Sequence, residues 1–449
     1  MSIILYNHKS ECSGCWACYN ICPKNAIEML PDEEGFKFPQ INAAQCIECG
    51  QCLKVCPLKT SAKLITEENS CKHIGIINLQ FTDNYGAVIA AAVLEDVVRD
   101  IADDCIVNTV FYTPWKQLDS RVKELRDEAK QWGGWKLFLK MKLNPQNHSD
   151  AKQLRSKRFT VFRDNYLNLT PRFDDAWCIN KEINYVAFIT GSDVVWAPRR
   201  SDNYRRDGYF LKFAEKGEKR IAYAPSLDHK TDSQLKRLKS VYQENIAGID
   251  AISVREESNR EFIQSLTDKK VSVCCDPAFL VEADYYDKMI ASASIDSKDE
   301  KYIYVYILEL NHEIVDYANQ LATEKGLKIC YYSANHDDYI SNSENCVSDG
   351  PAEFLYRLKY AEYILTNSYH CVVFSIIFKK KFLSFIRSKN SIKSIDLLKS
   401  FNLADRIVTK NKNSDIDGII NFEAVDNCRQ KMKEESIAYL KESLKEIAE

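Results

Sequence analysis

The chain has 449 residues, a formal net charge of -3 and 45% hydrophobic residues. That length holds roughly three domains of ordinary size, and a near-neutral chain is not a general nucleic-acid binder. Apolar runs such as Cys371 to Phe378 are strand or core length, far short of the ~20 residues that a membrane helix needs.

Ile3 to Tyr6 reads as a short strand, and Met1 to Ser10 lacks the apolar core of a signal peptide. Two cysteine runs follow: Cys12, Cys15, Cys18 and Cys22 before Pro23, then Cys46, Cys49, Cys52 and Cys56 before Pro57. Both read C-x2-C-x2-C-x3-C-P, the bacterial ferredoxin spacing for [4Fe–4S] clusters. Three closely spaced thiolates face one cubane, and the fourth, before a proline, ligates the other cluster. This assigns Cys12, Cys15, Cys18 and Cys56 to one cluster and Cys46, Cys49, Cys52 and Cys22 to the second. A disulfide framework is the alternative in a secreted domain, and a pair of zinc sites would show C-x2-C with a distant second pair. The stretch resembles the two-[4Fe–4S] ferredoxin domain, which implies a small α+β unit over residues 1–60. Phe36 to Ile41 alternates as a hairpin strand does. Residues 61–72 are read as a linker. The other nine cysteines are scattered, as buried thiols are in a reducing cytoplasm.

A different pattern starts at His73. His73 to Leu79 is a continuous apolar strand of the buried parallel type. The loop Thr82 to Gly86 and an apolar helix from Ala87 to about Val98 follow it. The loop has a single glycine, so no G-x-G-x-x-G fingerprint and no NAD site are inferred. Further strands are expected at Ile106–Tyr112, Tyr185–Thr190, Arg220–Ala224, Ala251–Val254 and Val271–Cys274. A second unit follows: strand Tyr302–Leu308, helix His312–Lys325, strand Lys328–Tyr332, helix Pro351–Leu358, strand Tyr363–Thr366, a helix from Val372 and strand Phe382–Ile386. The alternation predicts an α/β architecture with two Rossmann-like halves, 73–290 and 291–410, in a GT-B-like layout. A helical extension spans 411–449. Ligands in such layouts sit at the carboxyl ends of the strands.

Five segments carry a second resemblance: Asn84 to Val88, Gly191 to Trp196, Ile252 to Glu256, Asp276-Pro277 and Thr366 to His370. In this order they resemble the polysaccharide pyruvyl transferase family over about residues 73–390. The resemblance implies phosphoenolpyruvate as donor, a sugar diol or lipid-linked oligosaccharide as acceptor, and a role in cell-surface polysaccharide assembly. It makes Arg255, at a strand end, the donor-binding arginine, whose fork suits an oxyanion; the competing reading is an ion pair with Glu256 or Glu257. It makes His370, before an apolar helix, a general acid toward the enol methylene or a phosphate contact. Asp193 either takes a proton from the attacking hydroxyl or caps a helix. Asn84, Tyr85, Gly86, Ser192, Asn367 and Ser368 are expected to bind substrate, with Tyr85 stacked on the sugar and Gly86 allowing close backbone approach. The chain departs from the family pattern at Ser368, where many members carry arginine, at Val194 in place of glutamine, and at Cys371 in place of glycine. Cys371 is read as a packed thiol.

Residues 116–163 hold 13 Lys or Arg against 5 Asp or Glu, with Trp132 and Trp135 interleaved. Such a stretch is either a solvated helix face or a surface that lies on an anionic membrane. The expected location is cytoplasmic, with peripheral contact at the inner membrane face. Two other functions compete with transfer: an iron–sulfur oxidoreductase with its own redox partner, and an electron carrier or redox-sensing module without catalysis. The clusters motivate both, because no transfer step is a redox step.

Overall fold

A computed structural model of the chain describes residues 5, 12, 14–32, 37–43, 45–47, 51–55, 71–113, 149–173, 176–179, 183–197, 207–227, 232–295, 300–309, 311–334, 340, 343–387, 392–409 and 415–448. They divide into two units: Met1–Lys72 with Glu182–Asn184, and the remainder.

In the first unit, strands β1 (Ile27–Pro31) and β2 (Lys37–Ile41) pair antiparallel, with Ile27 opposite Ile41. The alternation read at Phe36 to Ile41 is this second strand. Two short helices, Ala17–Ile21 and Gln51–Lys54, bring Cys18 and Cys52 into a small core with Leu5 and Ile27. Gly14 and Trp16 take left-handed backbone angles (φ 62° and 65°), which curl the chain between Cys12 and Cys18. Cys49, Cys56 and most of the linker lie outside the described residues.

The second unit holds two six-stranded sheets. The first consists of β3 (Lys72–Ile77), β4 (Cys105–Thr109), β5 (Tyr185–Thr190), β6 (Lys219–Ala222), β7 (Ala251–Val254) and β8 (Val271–Val273), in the order β4-β3-β5-β6-β7-β8. The second consists of β9 (Tyr302–Ile307), β10 (Lys328–Ser333), β11 (Glu344–Asn345), β12 (Tyr363–Thr366), β13 (Lys381–Phe385) and β14 (Ile407–Val408), in the order β11-β10-β9-β12-β13-β14. Pairing is parallel from β3 through β8 and throughout the second sheet. Buried parallel strands need apolar side chains on both faces, so runs such as Tyr302 to Ile307 are buried at every position. In each sheet the order reverses beside the first strand, between β3 and β5 and between β9 and β12. These are two doubly wound, Rossmann-like sheets, the GT-B-like pair expected from the sequence.

The halves meet through a shared core rather than an open hinge. Ile76, Val88 and Ile189 of the first half and Tyr304, Phe354 and Val372 of the second belong to one apolar cluster. Its centre is the helix Tyr85–Ile101, buried almost all round. Tyr85 stacks on Phe354 with centroids 4.7 Å apart, meets Tyr306 and Tyr332 edge-on, and donates its hydroxyl to the Asp349 carbonyl at 2.8 Å. The C-terminal helix Phe422–Ala448 is not a free extension. It returns to the first half, where Tyr439 donates to the Ala222 carbonyl at 2.9 Å and Ser436 accepts from the Cys275 amide at 2.9 Å.

Residues 114–148 of the basic stretch lie outside the described residues. The rest forms the helix Ser149–Tyr166, which turns three of its arginines inward. Arg163 binds the Gln80 and Thr82 carbonyls, Arg158 the Ser348 carbonyl, and Arg155 lies over the Tyr85 and Tyr332 rings. Those charges pack the protein and do not face a lipid surface. Among the described residues, no helix is long and apolar enough to cross a membrane.

Candidate functional site

Strand β7 ends at Val254, and the next residue, Arg255, turns its guanidinium into the protein. Its side chain is 2% exposed, with Nε at 2.8 Å from Glu256, Nη1 at 2.9 Å from Asp276 and 3.8 Å from Asp193. The Tyr369 ring of the other half lies 4.1 Å from the guanidinium, within cation–π range. Burial alone would lower the arginine's pKa; Tyr369, Glu256, Asp276 and Asp193 raise it instead, so the charge is fixed. Nη2 is buried and has no hydrogen-bond partner.

Asp276 follows β8 and caps the turn Pro277–Leu280, its Oδ1 accepting from the Ala278 amide at 3.1 Å. Its Oδ2 faces Arg255 Nη1 and, at 3.4 Å, His370 Nε2 of the other half. Burial pushes the carboxyl up, but His370, Arg255 and the Ala278 amide outweigh it and hold the carboxyl at about 2. The sequence reading quoted Asp276-Pro277 without giving Asp276 a role. The available signal was an aspartate at a strand end immediately before a proline, an N-cap signature.

His370 lies in the first turn of the helix Tyr369–Ile377, which starts three residues before the expected Val372. At 3.4 Å, Nε2 contacts Asp276 without a formed hydrogen bond. One face of the ring rests on Gly86, where an added Cβ would stand 1.9 Å from His370 Cγ. Gly86 thus admits the His370 imidazole, which corrects its expected role of bringing backbone close to substrate.

The other expected binding residues divide. Tyr85 is 1% exposed in the inter-half core, so it cannot stack on a sugar. Asn84 caps its helix, accepting from the Ala87 amide at 3.3 Å. The Asn367 amide is used up between the ends of β9 and β12, accepting from Leu308 N at 2.7 Å and donating to the Glu309 carbonyl at 2.6 Å. Asp193 has a left-handed φ of 71° and no side-chain capping bond. Ser192 Oγ is buried and unpartnered. Ser368 takes the N-cap position of the His370 helix without a side-chain cap. Cys371 is fully buried, and burial pushes its thiol up to about 12, as a packed thiol should be.

A cleft of about 610 Å³ opens beside Arg255, within the range of small-molecule sites. Arg255, Asp276 and Tyr369 form one side; Lys393, Asp396 and Lys431 are on its other walls. Lys393 and Asp396 come from the helix Ile392–Ser400 and Lys431 from the C-terminal helix, neither of which the sequence reading placed at the site. His370 lies behind Asp276 and is not on the cleft wall.

In the first unit the described motif cysteines Cys12, Cys15, Cys18, Cys22, Cys46 and Cys52 form no disulfide. Cys12 and Cys22 sulfurs accept backbone N–H bonds from Gly14 (3.5 Å) and Ala26 (3.3 Å), the outer contacts that cluster thiolates use. Burial pushes the Cys18 thiol up, as do the neighbouring Cys12 and Cys15. Among the described residues no three His, Cys, Asp or Glu side chains converge on a single ion. The amide–sulfur bonds fit an iron–sulfur centre.

The polysaccharide pyruvyl transferase family model matches residues 84–389, and a 4Fe-4S dicluster domain model matches residues 11–60. No curated protein matches the chain. Among solved structures, the UDP-N-acetylglucosamine 2-epimerase of Rickettsia bellii is 9% identical, with 82% of this chain and 97% of that one covered and a TM-score of 0.38. The UDP-GlcNAc 2-epimerase of Neisseria meningitidis is 10% identical, with 81% and 99% covered and a TM-score of 0.39. The ADP-heptose heptosyltransferase II of E. coli is 11% identical, with 82% and 98% covered and a TM-score of 0.33.

Two stability predictions arise from this geometry. Gly86→Ala overpacks the His370 ring and should cost about 1–3 kcal/mol; an unchanged Tm would mean that the ring does not rest on the backbone there. Asp276→Asn leaves Arg255 and His370 without their shared counter-charge and should cost about 3–5 kcal/mol. The depressed carboxyl stabilises the fold above its unfolded pKa near 3.8, and that stability is lost as pH falls toward 2. Urea unfolding at stepped pH, followed by circular dichroism, should therefore show a weaker acid limb in Asp276→Asn than in wild type.

Proposed function

The chain belongs to the polysaccharide pyruvyl transferase family, and from that premise we propose that it transfers a pyruvyl group from phosphoenolpyruvate to a sugar diol, forming a pyruvate ketal and releasing phosphate. One observation carries the proposal: Arg255 Nη2, a buried donor with no partner among the described residues, on a guanidinium that walls a cleft of substrate size. A donor left unsatisfied costs stability unless a ligand meets it. A carboxylate or phosphate oxygen is the natural match.

Arg255 does not neutralise the donor alone, because Glu256, Asp276 and Asp193 already surround it. Lys393, Lys399 and Lys431 line the same cleft and bring further positive charge. They take the part of the arginine that many members carry at the position of Ser368. His370, set behind the cleft wall, supplies the proton for the enol methylene through Asp276, which stands between it and the cleft, and the resulting positive centre at C2 accepts a sugar hydroxyl. Phosphate leaves and the second hydroxyl closes the ring. Asp276 faces the His370 ring, which rests against Gly86.

The first unit is proposed to hold two [4Fe–4S] clusters on Cys12, Cys15, Cys18 and Cys56 and on Cys46, Cys49, Cys52 and Cys22. Such clusters supply one-electron chemistry when bound. The acceptor is a cell-surface sugar or its lipid-linked precursor, handled at the cytoplasmic face.

Replacing Arg255 by Ala should weaken phosphoenolpyruvate binding roughly ten- to a hundredfold, the effect of a lost charge-assisted bond on the order of 1.5–3 kcal/mol. His370→Ala should lower turnover by about 10²–10⁴-fold with donor affinity retained. Calorimetry beside a phosphate-release assay checks both, and unchanged donor affinity in folded Arg255→Ala would misplace the site. Anaerobically prepared protein should contain about eight iron and eight sulfide. Cys15→Ala should lose iron yet keep donor affinity; stoichiometric zinc without sulfide would sink the cluster assignment.

A further inference from the structure

A second cavity runs along β8, the outermost strand of the first sheet. It holds about 860 Å³, within the range of small-molecule sites, and the transfer step does not use it. The helix Glu257–Gln264 and the C-terminal helix wall it, the latter through the exposed residues Ala438 and Glu442. Its far end lies at the amino starts of β6 and β8, at Lys219 and Val271; its near end is Val273, where β8 finishes. Val273, Glu257 and Glu435 border this cavity and the Arg255 cleft alike. The side chains of Glu257 and Glu435 are 63% and 60% exposed, so the two spaces meet at an open rim rather than at a packed wall. Together they form one groove from Arg255 along the edge of the sheet.

The walls narrow what can lie in the far part. Four cations and four carboxylates line it, and some already answer one another or the backbone: Arg260 pairs with Glu257, and Lys269 Nζ donates to the Ile249 carbonyl. A polyanion would meet as much repulsion as attraction there. A peptide strand fits no better. β8 has only three residues, and its Val271 amide is already taken by Gln264 Oε1 at 3.0 Å. A neutral chain rich in hydroxyls can donate to the carboxylates and accept from the cations along its whole length. We propose that this cavity holds the sugars that follow the diol-bearing ring, so that the preferred acceptor is an oligosaccharide whose end reaches the cleft; the assignment rests on the transfer reaction above. Three strand residues span about 10 Å, which is longer than one sugar ring.

The test uses the full chain with its clusters, phosphoenolpyruvate, and acceptors built on glucose, galactose or mannose. Each series starts from the methyl hexopyranoside with a free 4,6-diol and continues to linear oligosaccharides of increasing length that carry this diol on the terminal ring. In wild type, kcat/KM should rise about tenfold or more with added rings, mainly through a lower KM, because contacts remote from the reacting atoms bind ground state and transition state alike. Ala438→Trp puts an indole into the second cavity. It should abolish that gain while leaving turnover of the methyl hexopyranoside and affinity for phosphoenolpyruvate unchanged. Glu442→Trp, one helical turn on, should do the same, and Ala438→Ser, which leaves the cavity open, should keep the gain. Equal kcat/KM for one ring and for the longest chain overturns the proposal, as does a gain that survives in a folded tryptophan variant. If wild type releases no phosphate with any acceptor, the transfer reading fails instead. Calorimetry with the same oligosaccharides then decides the groove: affinity that does not rise with chain length, or that both tryptophan variants leave unchanged, overturns it.

Discussion

One carboxylate oxygen, Asp276 Oδ2, faces a nitrogen group from each half of the molecule: the Arg255 guanidinium from the first and the His370 imidazole from the second. Removing water from this point makes each charge depend on the others, because attraction that is weak in solvent is strong in a poorly polarisable interior. Asp276 stays ionised because both neighbours favour the anion. Arg255 stays charged because carboxylates surround it. The cluster holds more acid than base, with Glu256, Asp276 and Asp193 around one guanidinium. That explains why Arg255 keeps one nitrogen free: the remaining guanidinium is spent on internal partners.

Such a pairing requires that the halves hold their spacing. Tyr85 provides the constraint, its ring among Phe354, Tyr306 and Tyr332 and its hydroxyl on the Asp349 carbonyl. The next residue, Gly86, seats the His370 ring. Two consecutive residues therefore fix the inter-half core and the orientation of the acid. The C-terminal helix adds a second tie, crossing back to the end of β6 and to Cys275. A core this continuous does not open as a hinge does, so substrate enters by the cleft rather than through separation of the halves.

The sheets were legible because buried parallel strands leave unbroken apolar runs; Tyr185–Thr190, Ala251–Val254, Tyr363–Thr366 and the helix His312–Lys325 fall at the expected residues. Arg255 and His370 were legible because they stand at element ends in recognisable segments. Tyr85 was misread because an aromatic in a strand-end loop looks the same whether it meets a sugar or a distant core. Its partners in the other half, Tyr306, Tyr332, Phe354 and Asp349, lie more than two hundred residues away, and nothing local announces them. Asp396 and Lys393 were invisible for the same reason: a short amphipathic helix shows which face is apolar, not which cleft its polar edge borders. The inward arginines of the helix Ser149–Tyr166 show the limit of charge counting, since a basic segment reads alike whether it meets lipid or carbonyl oxygens.

The ketal and the enol phosphate have carbon at the same overall oxidation level, with protonation of the methylene offset at C2. Pyruvyl transfer therefore draws no electrons from a cluster. The thiols on the cleft wall are not activated either: burial pushes Cys275 up to about 12 and raises Cys428, the reverse of the shift that makes a thiol reactive. The chemistry proposed for the second unit closes on its own residues, Arg255, His370 and Asp276, without the first. What the cysteine-rich unit contributes must then act on something other than the bond-making step: on when the transferase works, or on how the folded chain persists.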